Sequence, residues 1–149
     1  MITYESEVVI DRPRAEVAAY IVDPSTHAVW MGDVAGIERL TPGEPGVGSR
    51  YRYSIRKGPA SFGVTMRVLR LDDDAVEYQT EPGGTVNWHA LIGFAPIDAE
   101  RTRVTSAGEF SLGGIRRLLE PFMAGELRSG EAAELVALKT ALEANDADR

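Results

Sequence analysis

The order in which hydrophobic periodicities follow one another constrains this chain more than any single residue does. From about Val34 to Ser111, apolar residues alternate with polar ones, the period of half-buried strands. From about Leu112 to Ala144 the spacing becomes helical, with Ile115, Leu118, Leu119, Phe122, Met123, Leu127, Leu135, Leu138 and Leu142 on the stripe. Before both, residues 2–10 read as an opening strand that Asp11-Arg12-Pro13 ends, with Asp11 a suitable N-cap and Pro13 suited to a first helical turn. Val17, Tyr20 and Ile21 then share one helical stripe, and Asp23-Pro24-Ser25 breaks it and starts a second short helix bearing His27 and Trp30. Strands in an antiparallel meander need one face covered, and the long amphipathic helix is the element left to cover it. The expectation is an α+β fold over residues 1–149 as a single domain. About seven antiparallel strands curve around a long C-terminal helix, two short helices follow the first strand, and a cleft lies between sheet and helix.

Within the strand region, Val34 to Leu40 forms one run, and Thr41 to Gly48 is a loop dense in Pro and Gly. Tyr51, Tyr53 and Ile55 alternate with Arg50, Arg52, Ser54 and Arg56, so the aromatic face turns inward and the basic face outward. Turns at 57–60, 72–74, 82–84 and 98–100 separate four further runs. These are Phe62 to Val68, Val76 to Thr80, Val86 to Phe94, and a last one through Val104, Ser106 and Phe110. Pro121 lies inside the helical stretch and is expected to kink or interrupt it, and Gly113, Gly114, Gly125 and Gly130 soften it. Residues 112–125 are then a candidate mobile lid, with 131–144 as the anchored half. The tail 145–149 is expected to fray.

A net charge of −7 in 149 residues argues against nucleic acid, which requires a basic footprint, and against anionic membrane surfaces. No segment approaches membrane-spanning length, and the opening Met1-Ile2-Thr3-Tyr4-Glu5 lacks a secretory pattern, so a cytoplasmic protein is expected. With no cysteine and two histidines, thiolate chemistry is excluded and a metal site is poorly supplied; neither metal nor cofactor is expected. Arg50, Arg52, Arg56, Lys57, Arg67 and Arg70 form a local basic patch, read as a solvated sheet face, with docking of an acidic partner as the alternative.

With its elements placed, the chain resembles the helix-grip (SRPBCC) superfamily shared by START lipid-transfer domains, the birch pollen allergen and polyketide cyclase/dehydrase-like proteins. The carriers are Val8-Val9-Ile10-Asp11-Arg12-Pro13 with Glu16-Val17, Asp23-Pro24 followed by Trp30, Phe94-Ala95-Pro96 with Thr102-Arg103-Val104-Thr105, and Leu135-Val136-Ala137-Leu138-Lys139 with Leu142-Glu143. The resemblance implies a cavity for a small hydrophobic molecule, with Trp30 at its mouth. It leaves open whether the protein is a carrier, a polyketide cyclase or dehydrase, or a protein–protein module, and whether it is a monomer or a homodimer.

The inward-facing strand positions supply an apolar, aromatic lining without charge. Tyr51, Tyr53, Met66, Tyr78 and Trp88 on the sheet, Trp30 at the mouth and Phe122 and Met123 on the helix are the candidate ligand contacts. No residue is assigned a catalytic role. His27 reads as a surface or turn histidine, with a general base as the alternative. A slip of one residue in the sixth strand would exchange Trp88 for His89 in the cavity.

Overall fold

The alternating segments do become seven strands. In a computed structural model that describes residues 1–144, the elements are β1 (Ile2–Ile10), α1 (Arg14–Val22), a 3-10 turn (Pro24–Thr26), α2 (His27–Trp30), β2 (Val34–Arg39), β3 (Arg50–Lys57), β4 (Ala60–Leu71), β5 (Ala75–Thr80), β6 (Val86–Pro96), β7 (Thr102–Leu112), a second 3-10 turn (Gly114–Leu119) and α3 (Glu120–Ala144). The expected frayed tail lies outside the described residues. The strands form one antiparallel sheet in the order β1-β7-β6-β5-β4-β3-β2. β1 closes on β7 because the excursion through α1, α2 and the β2-to-β7 meander returns the chain to its starting edge. No helix among the described residues is long and apolar enough to cross a membrane.

Register decides which residues face the helix. Tyr53 pairs with Val64, Val68 with Tyr78, Tyr78 with Ala90, and Trp88 with Phe110, so the apolar positions of neighbouring strands stack on one concave face. Phe94, Ile10, Val17, Ile21, Val104 and Leu138 are fully buried there. α3 packs chiefly along β1, and α2 bridges β2 and α3. Two side-chain tethers set the alignment of helix and strand: Arg128 Nε donates to Thr3 O at 2.9 Å and Lys139 Nζ to Val9 O at 2.7 Å.

Two local expectations are corrected. Asp11 does not cap α1: the N-cap is Pro13, whose carbonyl accepts from Val17 N at 3.1 Å. Pro13's ring-fixed φ of −60° with ψ of 147° already holds the extended cap geometry. Pro121 does not kink a helix either. β7 runs to Leu112, a 3-10 turn follows, and α3 begins at Glu120. Pro121 therefore sits in the first helical turn, where its missing N–H has no bond to lose.

Candidate functional site

The middle of α3 carries the least expected chemistry. Its inward stripe runs Met123, Leu127, Glu131, Glu134, Leu135, Leu138 and Leu142, and Glu131 is only 7 % exposed. Glu131 and Glu134 are three residues apart, so their side chains meet on one helix face and hydrogen-bond to each other. Burial pushes both carboxyls above the usual carboxylate range, and the charge of Glu131 pushes Glu134 further. Asp33 adds to the upward push on both, while Lys57, itself ion-paired to Asp33 at 3.6 Å, pulls them down. The pair behaves as a unit that retains a proton where an ordinary carboxylate has lost its own.

Facing the pair is Tyr4 on β1. Its hydroxyl accepts a hydrogen bond from Trp88 Nε1 at 2.9 Å, and burial together with Glu131 raises its pKa. This contact depends on Gly108, which lies between Tyr4 and Ala90 in the register. A Cβ on Gly108 would stand 2.5 Å from the Tyr4 hydroxyl oxygen and 2.4 Å from the His89 carbonyl oxygen, so glycine is what lets the phenol cross the strand. Trp88 also packs edge-on against Phe110, with ring centroids 5.4 Å apart.

The candidate residues named from sequence separate into three groups. Trp30, Tyr51, Tyr53, Met66 and Tyr78 are buried together in the main core. Trp88 and Met123 are half-buried; Met123 packs on a second cluster of Ile2, Tyr4, Phe110 and Leu127, and Trp88 touches both clusters. Phe122 is brought to neither: at 85 % exposed it points to solvent beside Ile115, Leu118 and Leu119. Those residues fit a helical stripe only if the helix is continuous from 112, and the 3-10 turn breaks its phase. Trp88 faces α3, whereas His89 lies on the opposite face and pairs with Glu77 at 2.7 Å.

His27 is not a surface or turn residue. It is fully buried, with Nε2 2.7 Å from Ile21 O and Nδ1 2.9 Å from the Tyr53 hydroxyl. Nε2–H therefore donates to the carbonyl, and Nδ1 accepts from Tyr53. Burial lowers the imidazole pKa. Both ring nitrogens and the Tyr53 proton are committed internally, so this histidine holds the core together.

Opposite the uncharged strand lining, the helix thus adds two carboxyls, Glu131 and Glu134. The signal was present in the sequence: a carboxylate occupies the stripe position between Leu127 and Leu135, where the helical period calls for an apolar residue. Beyond the pair, Ile55, Val64, Trp88 and Ala90 leave a half-exposed apolar row on the concave face. At its rim is a depression of about 250 Å³ bounded by Phe62, Val64, Pro82, Thr85 and Val86. A second, of about 230 Å³, lies between Pro24, Ala28 and Ile37. The described residues contain no cluster of three or more His, Asp or Glu able to hold a metal. On the outer face, Arg50 pairs with Glu81 and Arg70 with Asp72, which neutralises part of the basic patch.

A seven-stranded antiparallel sheet closed by a long C-terminal helix, with short helices after the first strand, is a helix-grip fold. Residues 1–143 match the model of the family described as polyketide cyclase / dehydrase and lipid transport, and the chain belongs to that family. Among solved structures, a Thermus thermophilus protein aligns with a TM-score of 0.80 at 17% identity, covering 96% of this chain and 98% of that one. The Zhui aromatase/cyclase from Streptomyces aligns with a TM-score of 0.77 at 18% identity, covering 95% and 93%. Norcoclaurine synthase from Thalictrum flavum, solved with dopamine and hydroxybenzaldehyde, aligns at 0.66 and 16% identity, covering 94% and 85%. These likenesses show the shared fold. A search of curated sequences gave no match.

Proposed function

We propose that this chain binds a small, mostly apolar molecule, lipid-like or polyketide-like, on the concave face between Trp88 and α3. The observation that supports this most directly is the half-exposed row of Ile55, Val64, Trp88 and Ala90, apolar surface that a packed core would have covered. The rim depression of about 250 Å³ is smaller than the usual range for ligand pockets, roughly 300–1,000 Å³. A ligand therefore needs the 114–123 segment to lift, and four exposed apolar side chains there (Ile115, Leu118, Leu119 and Phe122) anchor it poorly. Tyr51, Tyr53 and Tyr78 form the floor beneath the ligand and touch it less than Trp88 and Met123 do. We place this activity in the cytoplasm.

A second reading, a cyclase- or dehydrase-type enzyme using the same trough, draws on the protonated carboxyl pair, which could supply and receive a proton beside a bound ligand. Binding itself is tested by titrating the neutral dye Nile red into wild type and Trp88→Ala. The expected result is saturable binding weakened about tenfold or more in the variant, consistent with loss of a buried aromatic contact. Equal affinity in a variant whose far-ultraviolet circular dichroism is unchanged would place the ligand elsewhere.

A further inference from the structure

Four large apolar side chains stand without cover at the junction of β7 and α3. Ile115, Leu118, Leu119 and Phe122 are 83 %, 71 %, 53 % and 85 % exposed. Ile115 and Leu118 are three residues apart in the 3-10 turn, a spacing that eclipses them, and Leu119 and Phe122 repeat that step into the first turn of α3. The base of the segment is fixed: Gly113 N donates to Thr85 O at 2.8 Å, and Leu112 N donates to Glu120 Oε2 at 3.1 Å. An exposed apolar patch rimmed by polar residues marks an interaction surface.

The charges of the rim differ from those of the chain as a whole. Residues 113–125 carry three charged side chains, Arg116, Arg117 and Glu120. Glu120 is turned inward and only 4 % exposed, whereas both arginines are exposed. Arg117 Nε lies 3.9 Å from Glu120 Oε2, and Arg116 has no ion pair among the described residues. The first exposed acid beyond the patch is Glu126, one turn past Phe122. In a chain of net charge −7, the patch is therefore locally basic, and the chain-wide charge that disfavours anionic surfaces does not describe it.

Apolar side chains interleaved with arginines select the occupant. A two-fold contact with a second copy would set the Arg116–Arg117 pairs of both copies against each other. A partner protein would have to supply a groove shaped to the protruding turn. An anionic bilayer needs no groove: apolar side chains enter the boundary between headgroups and acyl chains, and arginine stems lie along it with their guanidiniums at the lipid phosphates. Acidic residues elsewhere on the chain act weakly there, because screening sets in over about 10 Å at 0.1 M salt.

We propose that Ile115, Leu118, Leu119 and Phe122, with Arg116 and Arg117, form a surface that docks the protein reversibly on an anionic lipid bilayer. The docking goes beyond ligand binding in the trough and stands or falls without it. The test is co-sedimentation of the protein, free of added ligand, with vesicles of phosphatidylcholine alone and of phosphatidylcholine mixed with phosphatidylglycerol. At about 0.1 M salt, partitioning onto the anionic vesicles is expected to exceed that onto the neutral ones by about tenfold or more. Arg116→Gln/Arg117→Gln is expected to remove most of that difference, and Leu118→Ser/Phe122→Ser to weaken partitioning about tenfold or more. All four positions are exposed, so the urea midpoint of each variant should match wild type. Val136→Ser, which alters an exposed apolar residue of α3 outside the patch, should partition as wild type does. No binding of wild type to anionic vesicles, equal binding to neutral ones, or equal weakening by Val136→Ser would overturn the proposal. So would a concentration-dependent dimer in analytical ultracentrifugation that Leu118→Ser/Phe122→Ser abolishes, since a second copy would then cover the patch. Failure of Nile red to bind would remove the trough reading and leave the docking surface standing.

Discussion

Replacing both Glu131 and Glu134 with Gln should make the protein more stable, by an amount that grows with pH. In the native state burial holds the pair's titration above the ordinary carboxylate range, whereas the unfolded chain loses those protons near the usual 4.5. Above that value the native state binds more protons than the unfolded one, so this contribution to stability is present at low pH and is lost as pH rises. One extra retained proton corresponds to about 1.4 kcal/mol per pH unit. Between pH 5 and pH 7 the wild type should therefore lose about 3 kcal/mol relative to the Gln variant, a large share of a typical domain's total. Tyr4 faces the pair from β1, Asp33 from the α2–β2 connection and Lys57 from β3; the charges of Asp33 and Lys57 act on the ionised pair and are part of its titration, so they enter the wild-type curve and drop out of the Gln variant's. The assay is urea denaturation followed by tryptophan fluorescence at half-unit pH steps from 5 to 8, with the difference in unfolding free energy plotted against pH. Curves that run parallel would show that the pair does not hold a proton in the native state, and the reasoning about its burial would fail.

Gly108→Ala should force the Tyr4 ring away from its seat over β7. Overpacking of this kind costs about 1–3 kcal/mol, and loss of the Trp88–Tyr4 hydrogen bond adds about 1 kcal/mol, both readable as a lowered urea midpoint. An unchanged midpoint would mean that strand β7 yields at no cost. His27→Ala should cost about 3 kcal/mol or more, because it strands the Tyr53 hydroxyl and the Ile21 carbonyl and opens a cavity. Burial depresses the pKa of His27, so below about 6.5 the unfolded chain takes up a proton that the native state refuses. The contribution of His27 to stability should accordingly fall as pH drops through that region, opposite in sign to that of the carboxyl pair, so the difference between wild type and His27→Ala should shrink with falling pH. If the variant shows the same acid sensitivity as wild type, His27 is not its source.

Local sequence determined the kinds of element and their order. Alternation from Arg50 to Arg56 or from Val86 to Phe94 specifies a strand because its two faces meet different surroundings, and Leu135, Leu138 and Leu142 specify a helix for the same reason. Trp88 and His89 were separable only by register: pairing with Phe110 and the reach of Tyr4 across Gly108 put Trp88 under α3, and neither fact is local. Phe122 was misplaced because periodicity gives spacing but not phase, and the phase of α3 starts at Glu120, after a 3-10 turn. His27 became a core residue through two acceptor and donor partners, Ile21 and Tyr53, that no spacing rule connects to it. Glu131 was visible as a carboxylate in an apolar stripe, yet its meaning came from what covers it. The sheet, Tyr4 and α2 remove water from both carboxyls at once, and that desolvation depends on contacts between residues far apart along the chain.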